Sequence, residues 1–288
     1  MLKGKVIVVT GSAGFVGSQL VKALQGQGAT VIELDLQNGV DITDWDQIKD
    51  LDCFDMLFHL AARTFVPDSY TDPKAFYATN INGTLNVLEL CRLYKARMIF
   101  ASSYVYGTPQ YLPIDEQHPI SSFNPYASTK IICEHLCENF HNHFGVKVII
   151  FRPFNIYGPG QKDSFLIPLI AKQAQKGLII LKDPVPKRDF VYIYDVIDAY
   201  LKVATSDQND FDIFNIGSGY SYSVWDIVNI IKDMFKQHID IRFTGEKRKN
   251  EVMNTIADIS KARNALHWGP RTDFVDGIQK TVMSGWFV

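Results

Sequence analysis

Runs of apolar and β-branched residues recur along the first half of the chain at positions 6–9, 31–34, 56–59, 98–101 and 148–151. Between most of them lie longer segments, 16–25, 80–94 and 127–144, whose apolar positions repeat every three to four residues. A run that is apolar throughout predicts a strand buried on both faces, and a helix after each strand predicts parallel pairing. The pattern therefore predicts an α/β fold with a doubly wound parallel sheet. Between Asp35 and Asp41 only five residues intervene, too few for a full helical crossover, so one unit is abbreviated. After Gly158 the alternation loosens into a helix at 165–176, a proline-rich loop at 183–186, a strand at 211–216, a helix at 224–235 and the basic loop GEKRKNE. These elements predict a smaller α/β lobe capping the strand ends. We expect residues 1–157 and 187–217 to form the main domain, and residues 158–186 and 218–288 the cap.

Composition narrows the function. The chain has 288 residues, 47% hydrophobic and 21% charged, an ordinary globular balance that excludes a disordered protein. Its formal charge of −2 removes the general electrostatic case for a nucleic-acid or anionic-membrane partner. No apolar run approaches the roughly 20 residues that cross a bilayer, and the start of the chain lacks a signal-peptide pattern. The four cysteines, Cys53, Cys91, Cys133 and Cys137, include no CxxC pair, so a reducing cytoplasm is expected. Cys133 and Cys137, one helical turn apart, read as small buried hydrophobes. His141 and His143 read as exposed residues at a helix end, and no metal site is expected.

Chemistry enters at the first turn. In VIVVTGSAGFVGSQL, Gly11, Gly14 and Gly17 leave a strand and open a helix. Without side chains there, backbone amides and the positive helix end can meet a pyrophosphate. Asp35 ends the second strand, where a carboxylate hydrogen-bonds an adenosine ribose and repels a 2′-phosphate, so NAD is expected over NADP. Asp41, in GVDITD, reads equally as an adenine contact and as a helix cap.

Tyr126 and Lys130, in NPYASTK, stand four apart on one helix face. A cation beside a phenol favours phenolate, which predicts a tyrosine pKa below its usual value of about 10 and a base near neutral pH. Ser102, in FASSYVYG, falls at the carboxyl end of a strand, where open α/β sheets bind ligands; its hydroxyl could hold a substrate oxygen or close a turn.

Taken in order, TGSAGFVG, HLAA, TNINGTLNVLE, SSYVYG, YASTK, RPFNIYGPG, RDFVYIYDV, FNIGSG and ADISKARNALHW resemble the extended short-chain dehydrogenase/reductase family, in its NAD-dependent epimerase/dehydratase branch. The resemblance covers essentially the whole chain. It implies a Rossmann domain, a catalytic Ser102, Tyr126 and Lys130, and an Asn80 that supports their hydrogen bonds. It also implies NAD contacts from Phe15, Val16, Ile42, Leu60, Ala61 and Ala62, besides the glycines, Asp35, Asp41, Asn80, Tyr126 and Lys130. Toward a nucleotide-diphosphate sugar it implies Ser102, Ser103, Asn155, Arg188, Arg248 and Glu251. Arginine suits that role because its planar fork donates two parallel hydrogen bonds to phosphate. Pairing of the 80–94 and 127–144 helices with a second copy in a homodimer is a further implication.

The resemblance implies a 4-epimerase of the UDP-hexose type. A net nucleotide-ketosugar reductase or dehydrogenase and a non-catalytic dinucleotide sensor are the alternatives. Dehydratases of the branch carry acidic residues after the catalytic serine or threonine, whereas this chain has Ser103 and Tyr104, which leaves C5 without an evident acid or base. Pro184, Pro186, Tyr192 and His267 depart from the family's usual residues, and the sugar and the base stay open.

Overall fold

A computed structural model describes residues 2–206, 210–247 and 251–284. Its strands are β1 (Val6–Thr10), β2 (Thr30–Leu34), β3 (Met56–His59), β4 (Arg97–Ala101), β5 (Val148–Pro153), β6 (Asn155–Tyr157), β7 (Leu178–Leu181), β8 (Lys187–Tyr192), β9 (Phe211–Ile216), β10 (Ser221–Ser223) and β11 (Asp240–Phe243). Its helices are α1 (Phe15–Gly26), α2 (Trp45–Ile48), α3 (Val66–Thr71), α4 (Pro73–Tyr77), α5 (Gly83–Tyr94), α6 (Pro125–Phe144), α7 (Leu166–Gln175), α8 (Ile193–Ala204), α9 (Val224–Lys232), α10 (Ser260–Leu266) and α11 (Phe274–Met283).

Six strands pair in parallel in the order β2-β1-β3-β4-β5-β9. Successive side chains of a strand face opposite ways, and here both faces are buried. Ile7, Val9, Phe58, Ile99, Ile149 and Phe151 join one apolar cluster, with α1 and α8; Val8, Leu57, Met98, Phe100, Val148 and Ile150 join the other, with α5 and α6. This is the doubly wound sheet that the apolar runs predict. Between β2 and β3 the chain makes only a short 3₁₀ turn (Leu36–Asn38) and the four-residue α2, so the abbreviated unit is real. It then crosses β1 to pair on the far side, which opens a crevice between the carboxyl ends of β1 and β3.

Two smaller sheets stand apart from the main one. The strands of the first run β10-β8-β6, and β11 pairs with β7 in the second. Thus β8, within the segment expected in the main domain, belongs to a small sheet, while β9 joins the large one. Among the described residues no helix is long and apolar enough to cross a membrane.

Candidate functional site

The turn after β1 needs its glycines for contact distances. Gly11 has φ +70°, and a Cβ there would stand 2.7 Å from the amide nitrogen of Ala61 at the end of β3. At Gly17 a Cβ would meet the carbonyl oxygen of Gly11 at 2.0 Å. The first turn of α1 therefore lies against the loop, and its N-cap residue, Gly14, offers no side-chain cap. No acidic residue occupies that first turn. Ser12 is buried within the loop, and its hydroxyl oxygen has no hydrogen-bond partner among the described residues. An uncapped helix end beside a side-chain-free cradle suits a pyrophosphate. Phe15 and Val16, in the first turn of α1, are half-buried.

Asp35 reaches this loop directly. Its carboxylate accepts from the Ala13 amide at 3.1 Å and from Gln37 at 2.8 Å. Leu60 and Ala61 donate their amides to the Thr10 hydroxyl, each at 3.2 Å, which holds the half-buried 60–62 segment beside the crevice. The Asp41 carboxylate instead accepts from the amide and hydroxyl of Thr43, both at 2.8 Å, the geometry of a local turn. Ile42 is buried against Gly83, where a Cβ would lie 2.6 Å from its Cδ1.

The second group forms where α6 crosses the end of β4. Asn124 caps α6 through a side-chain bond to the Ala127 amide, and Pro125 follows at the first helical position. The helix buries Lys130, whose ammonium donates to the Ala101 carbonyl at 2.7 Å and sits 4.8 Å from the centre of the Phe100 ring. Burial lowers its pKa to about 8. Tyr126 is half-buried one turn earlier, and its phenol interacts with the Ser103 hydroxyl.

The expected low tyrosine pKa is corrected here. Burial pushes the Tyr126 phenol up to about 12, the Ser103 hydrogen bond offsetting only part of that. Desolvation disfavours phenolate, while the Lys130 ammonium is directed onto a backbone carbonyl. Ser102 is buried and donates to Glu134 at 2.5 Å.

A buried polar layer supports α6 from below. Asn80 lies in a π turn, Ala78–Asn82, an irregularity often found at functional sites. Its side chain accepts from the Arg63 amide at 2.8 Å and donates to the Arg63 carbonyl at 3.2 Å and the Thr129 hydroxyl at 2.9 Å. His59, at the end of β3, bonds Thr10 at 2.8 Å and Thr84 at 2.9 Å. Burial, followed by the nearby Lys130 charge, lowers its pKa to about 3, so it is neutral.

The expected substrate side gathers at the small sheet. The Asn155 amide donates to the Asp189 carbonyl at 3.0 Å. Arg188 and Glu251 pair with each other, and the Arg188 guanidinium also bonds the Lys187 and Val252 carbonyls. Asp189 is fully buried and accepts from Ser218, Gly219 and Ala257, which bolts β8 to the loops beside it. Arg248 lies outside the described residues. An open cleft of about 530 Å³ is lined by residues including Tyr106, Gln110, Ser122, Phe123 and Glu251. Tyr104 donates to the Gly107 carbonyl at 2.6 Å and packs edge-on against Phe123 and Phe154.

Among the described residues no cluster of His, Cys, Asp or Glu could hold a metal ion. His141 is not the exposed residue expected: it is half-buried and stacked on Phe211 at 5.1 Å. Sequence reading passed over Glu134 and Arg152, although Glu134 stands two helical turns beyond Tyr126, on the same face.

Residues 7–217 match the model of the NAD dependent epimerase/dehydratase family. A Methanocaldococcus jannaschii protein provisionally named a UDP-glucose 4-epimerase is 35% identical, with 96% of this chain and 97% of that protein covered. The GDP-6-deoxy-D-mannose reductase of Pseudomonas aeruginosa is 29% identical, covering 97% of this chain and 96% of its own length. Among solved structures, the UDP-glucose 4-epimerase of Thermotoga maritima with UDP-glucose superposes with a TM-score of 0.89 at 29% identity, covering 96% of this chain and 97% of that one.

Proposed function

The chain belongs to the NAD-dependent epimerase/dehydratase family, and on that premise we propose that it is a nucleotide-sugar 4-epimerase of the UDP-hexose type, acting through a transient 4-keto sugar. NAD is its cofactor. The observation that supports the reading is that α6 brings Tyr126 and Lys130 to the carboxyl end of β4, where the Lys130 ammonium bonds the Ala101 carbonyl and the Tyr126 phenol interacts with Ser103, the neighbour of Ser102. Gly11, Gly14, Gly17, Phe15 and Val16 would hold the cofactor's pyrophosphate, Asp35 its adenosine ribose, and Ala61, Ala62, Asn80 and Lys130 its nicotinamide half. When bound, NAD supplies reversible hydride acceptance at the sugar carbon.

The protein's own groups manage the proton. Tyr126 takes it from the C4 hydroxyl and returns it once the sugar has turned over, while Ser102 holds the oxygen. At neutral pH Lys130, with its pKa near 8, is mostly an ammonium, and a cation one helical turn from Tyr126 would oppose the burial that disfavours phenolate. No carboxylate follows Ser102 in sequence: Ser103 and Tyr104 stand there, and neither can act as an acid–base pair at C5. That supports epimerisation over elimination. Arg188 and Asn155, with Arg248, would bind the substrate's diphosphate at the small sheet, and Glu251 its nucleotide ribose. Pairing there between Arg188 and Glu251 keeps the guanidinium in place.

The likeness to a GDP-sugar reductase favours one second reading, a net nucleotide-ketosugar reductase. Assay of UDP-, GDP- and dTDP-sugars, following both sugar identity and NADH absorbance, separates them. Isomerised sugar with no lasting absorbance supports the epimerase; stoichiometric NADH change supports the reductase; silence across the panel overturns both. Tyr126→Phe is expected to lower turnover at least about 100-fold with NAD retained. If that variant kept most of its activity, Tyr126 would not be the base.

We also propose a homodimer through α5 and α6, whose Leu85, Leu93 and Ile132 are exposed. Light scattering on the purified protein tests it. Four free cysteines, three of them buried, fit a cytoplasmic location.

A further inference from the structure

The loop from Gly158 to Phe165 leaves β6 and enters α7. Its first half is fixed in place. Gly158 lies so close to α8 that a Cβ would stand 2.3 Å from Cγ2 of Ile193, and the buried Gln161 side chain donates to the Ile156 carbonyl at 2.7 Å. Gly160 passes against the ring of Phe15, whose Cδ2 is 3.6 Å from where a Cβ would be. Phe15 stands in the first turn of α1, on the β1 side of the crevice. At the far end the exposed Phe165 ring meets Phe65 edge-on, with centroids 6.2 Å apart. Phe65 follows the 60–62 segment, on the β3 side. The loop therefore touches both walls of the crevice and spans its mouth.

The Phe65 end belongs to the reacting side of that crevice. Asn80 holds the Arg63 backbone two residues before Phe65 and bonds Thr129 beside Lys130. A 4-epimerase must let the sugar turn within the site, and turning requires contacts that hold it to be released. Enclosure then keeps it there. We propose that the 158–165 loop is a strap across the crevice and the Phe65–Phe165 pair its latch, which keeps the oxidised sugar in the site until hydride returns. This rests on the epimerase reading.

The oxidising step breaks the C4–H bond and passes its electron pair to NAD as hydride, while the hydroxyl proton goes to Tyr126 and C4 becomes a carbonyl. Return of both, the hydride to the opposite face, completes the epimerisation. A 4-keto sugar that leaves earlier takes neither with it, so the protein keeps a reduced cofactor with no acceptor and stops. The latch has the strength this requires. An edge-to-face ring pair favours the closed arrangement by roughly 2- to 10-fold, enough to bias retention and weak enough to open for substrate and product. The Asp163–Lys172 ion pair and the bond from the Phe165 amide to the Lys162 carbonyl at 3.0 Å fix the backbone that carries the ring.

Turnover of UDP-glucose and its C4 epimer by the NAD-loaded protein tests this, following epimerised sugar, free 4-keto sugar and the NADH absorbance band. Phe65→Ala and Phe165→Ala are each expected to raise the ratio of free keto sugar to epimerised sugar roughly 2- to 10-fold, with NADH left on the protein in equal amount. The double variant is expected to add almost nothing, because either change removes the pair. Phe165→Tyr keeps the ring and is expected to keep the wild-type ratio. Because Phe165 is exposed, Phe165→Ala is expected to melt within about 2 °C of wild type, and it decides the question alone if Phe65→Ala does not fold. A wild-type ratio in Phe165→Ala, multiplicative effects in the double variant, or loss of NAD on gel filtration with no free keto sugar would overturn the latch while leaving the epimerase reading intact. Wild-type protein that isomerises no sugar would overturn that reading and the latch together.

Discussion

The side-chain amide of Asn80 donates to the hydroxyl of Thr129 across 2.9 Å, joining the π turn before α5 to the helix position just before Lys130. The same side chain makes two bonds to the Arg63 backbone, so one buried residue holds the loop after β3 and the helix of the proposed base together. Asn80→Ala leaves these groups buried without partners. It is expected to cost roughly 2–4 kcal/mol of stability in urea titration and to lower turnover even where the variant stays folded.

Gly17 admits no side chain because the Gly11 carbonyl lies 2.0 Å from where its Cβ would be. Gly17→Ala is expected to push the first turn of α1 away from the loop, weakening NAD at least about tenfold and destabilising the fold by ~1–3 kcal/mol. Gly26, at the other end of α1, has nothing within 4 Å of the place a methyl group would take. Gly26→Ala is expected to be neutral or to stabilise by about 0.5 kcal/mol, with NAD affinity unchanged on calorimetric titration.

Asp35 places its carboxylate on the Ala13 amide, at the edge of the proposed ribose site. Removing that charge removes the repulsion of a 2′-phosphate. Asp35→Ser is expected to narrow the preference for NAD over NADP by at least about tenfold, read as the ratio of two titrations. An unchanged ratio would place the ribose elsewhere.

His59 makes stability depend on pH with a definite sign. Its folded pKa, about 3, lies below its ordinary value of 6.5. Between those values the unfolded chain binds a proton that the folded chain does not. The stability it contributes is therefore complete above pH 6.5 and is lost as pH falls toward 3. Relative to a His59→Asn variant, the wild type is expected to lose about 2 kcal/mol more between pH 7.5 and pH 5, measured by urea unfolding at each pH.

The six strands of the main sheet coincide with the runs 6–9, 31–34, 56–59, 98–101, 148–151 and 211–216; burial on both faces leaves an almost unbroken apolar signal in the inner four, while the edge strands β2 and β9 carry Glu33, Asp212 and Asn215. The small sheets were not legible strand by strand. β6 and β10 are three residues each, and β8 mixes the charged Lys187, Arg188 and Asp189 with apolar residues, so no period of two emerges. For the site, the glycine spacing and the Tyr126–Lys130 pair were legible because each lies within one turn or one helix. The Arg188–Glu251 pair and the Asp41 turn needed coordinates, since each side chain had more than one partner open to it.

What the sequence by itself determined is local: which runs form strands, where a side-chain-free turn enters a helix, that Asp35 ends the second strand, and that Tyr126 and Lys130 share a helix face. Tertiary structure alone decided the state of the protons. Ser102 meets Glu134 from 32 residues away, and Arg152 reaches that carboxylate from 18. Packing around Tyr126 and Lys130 strips their water, so burial moves both pKa values toward the uncharged forms. Hydrogen-bond partners and desolvation come from elements distant in the chain, and residue spacing carries no record of either.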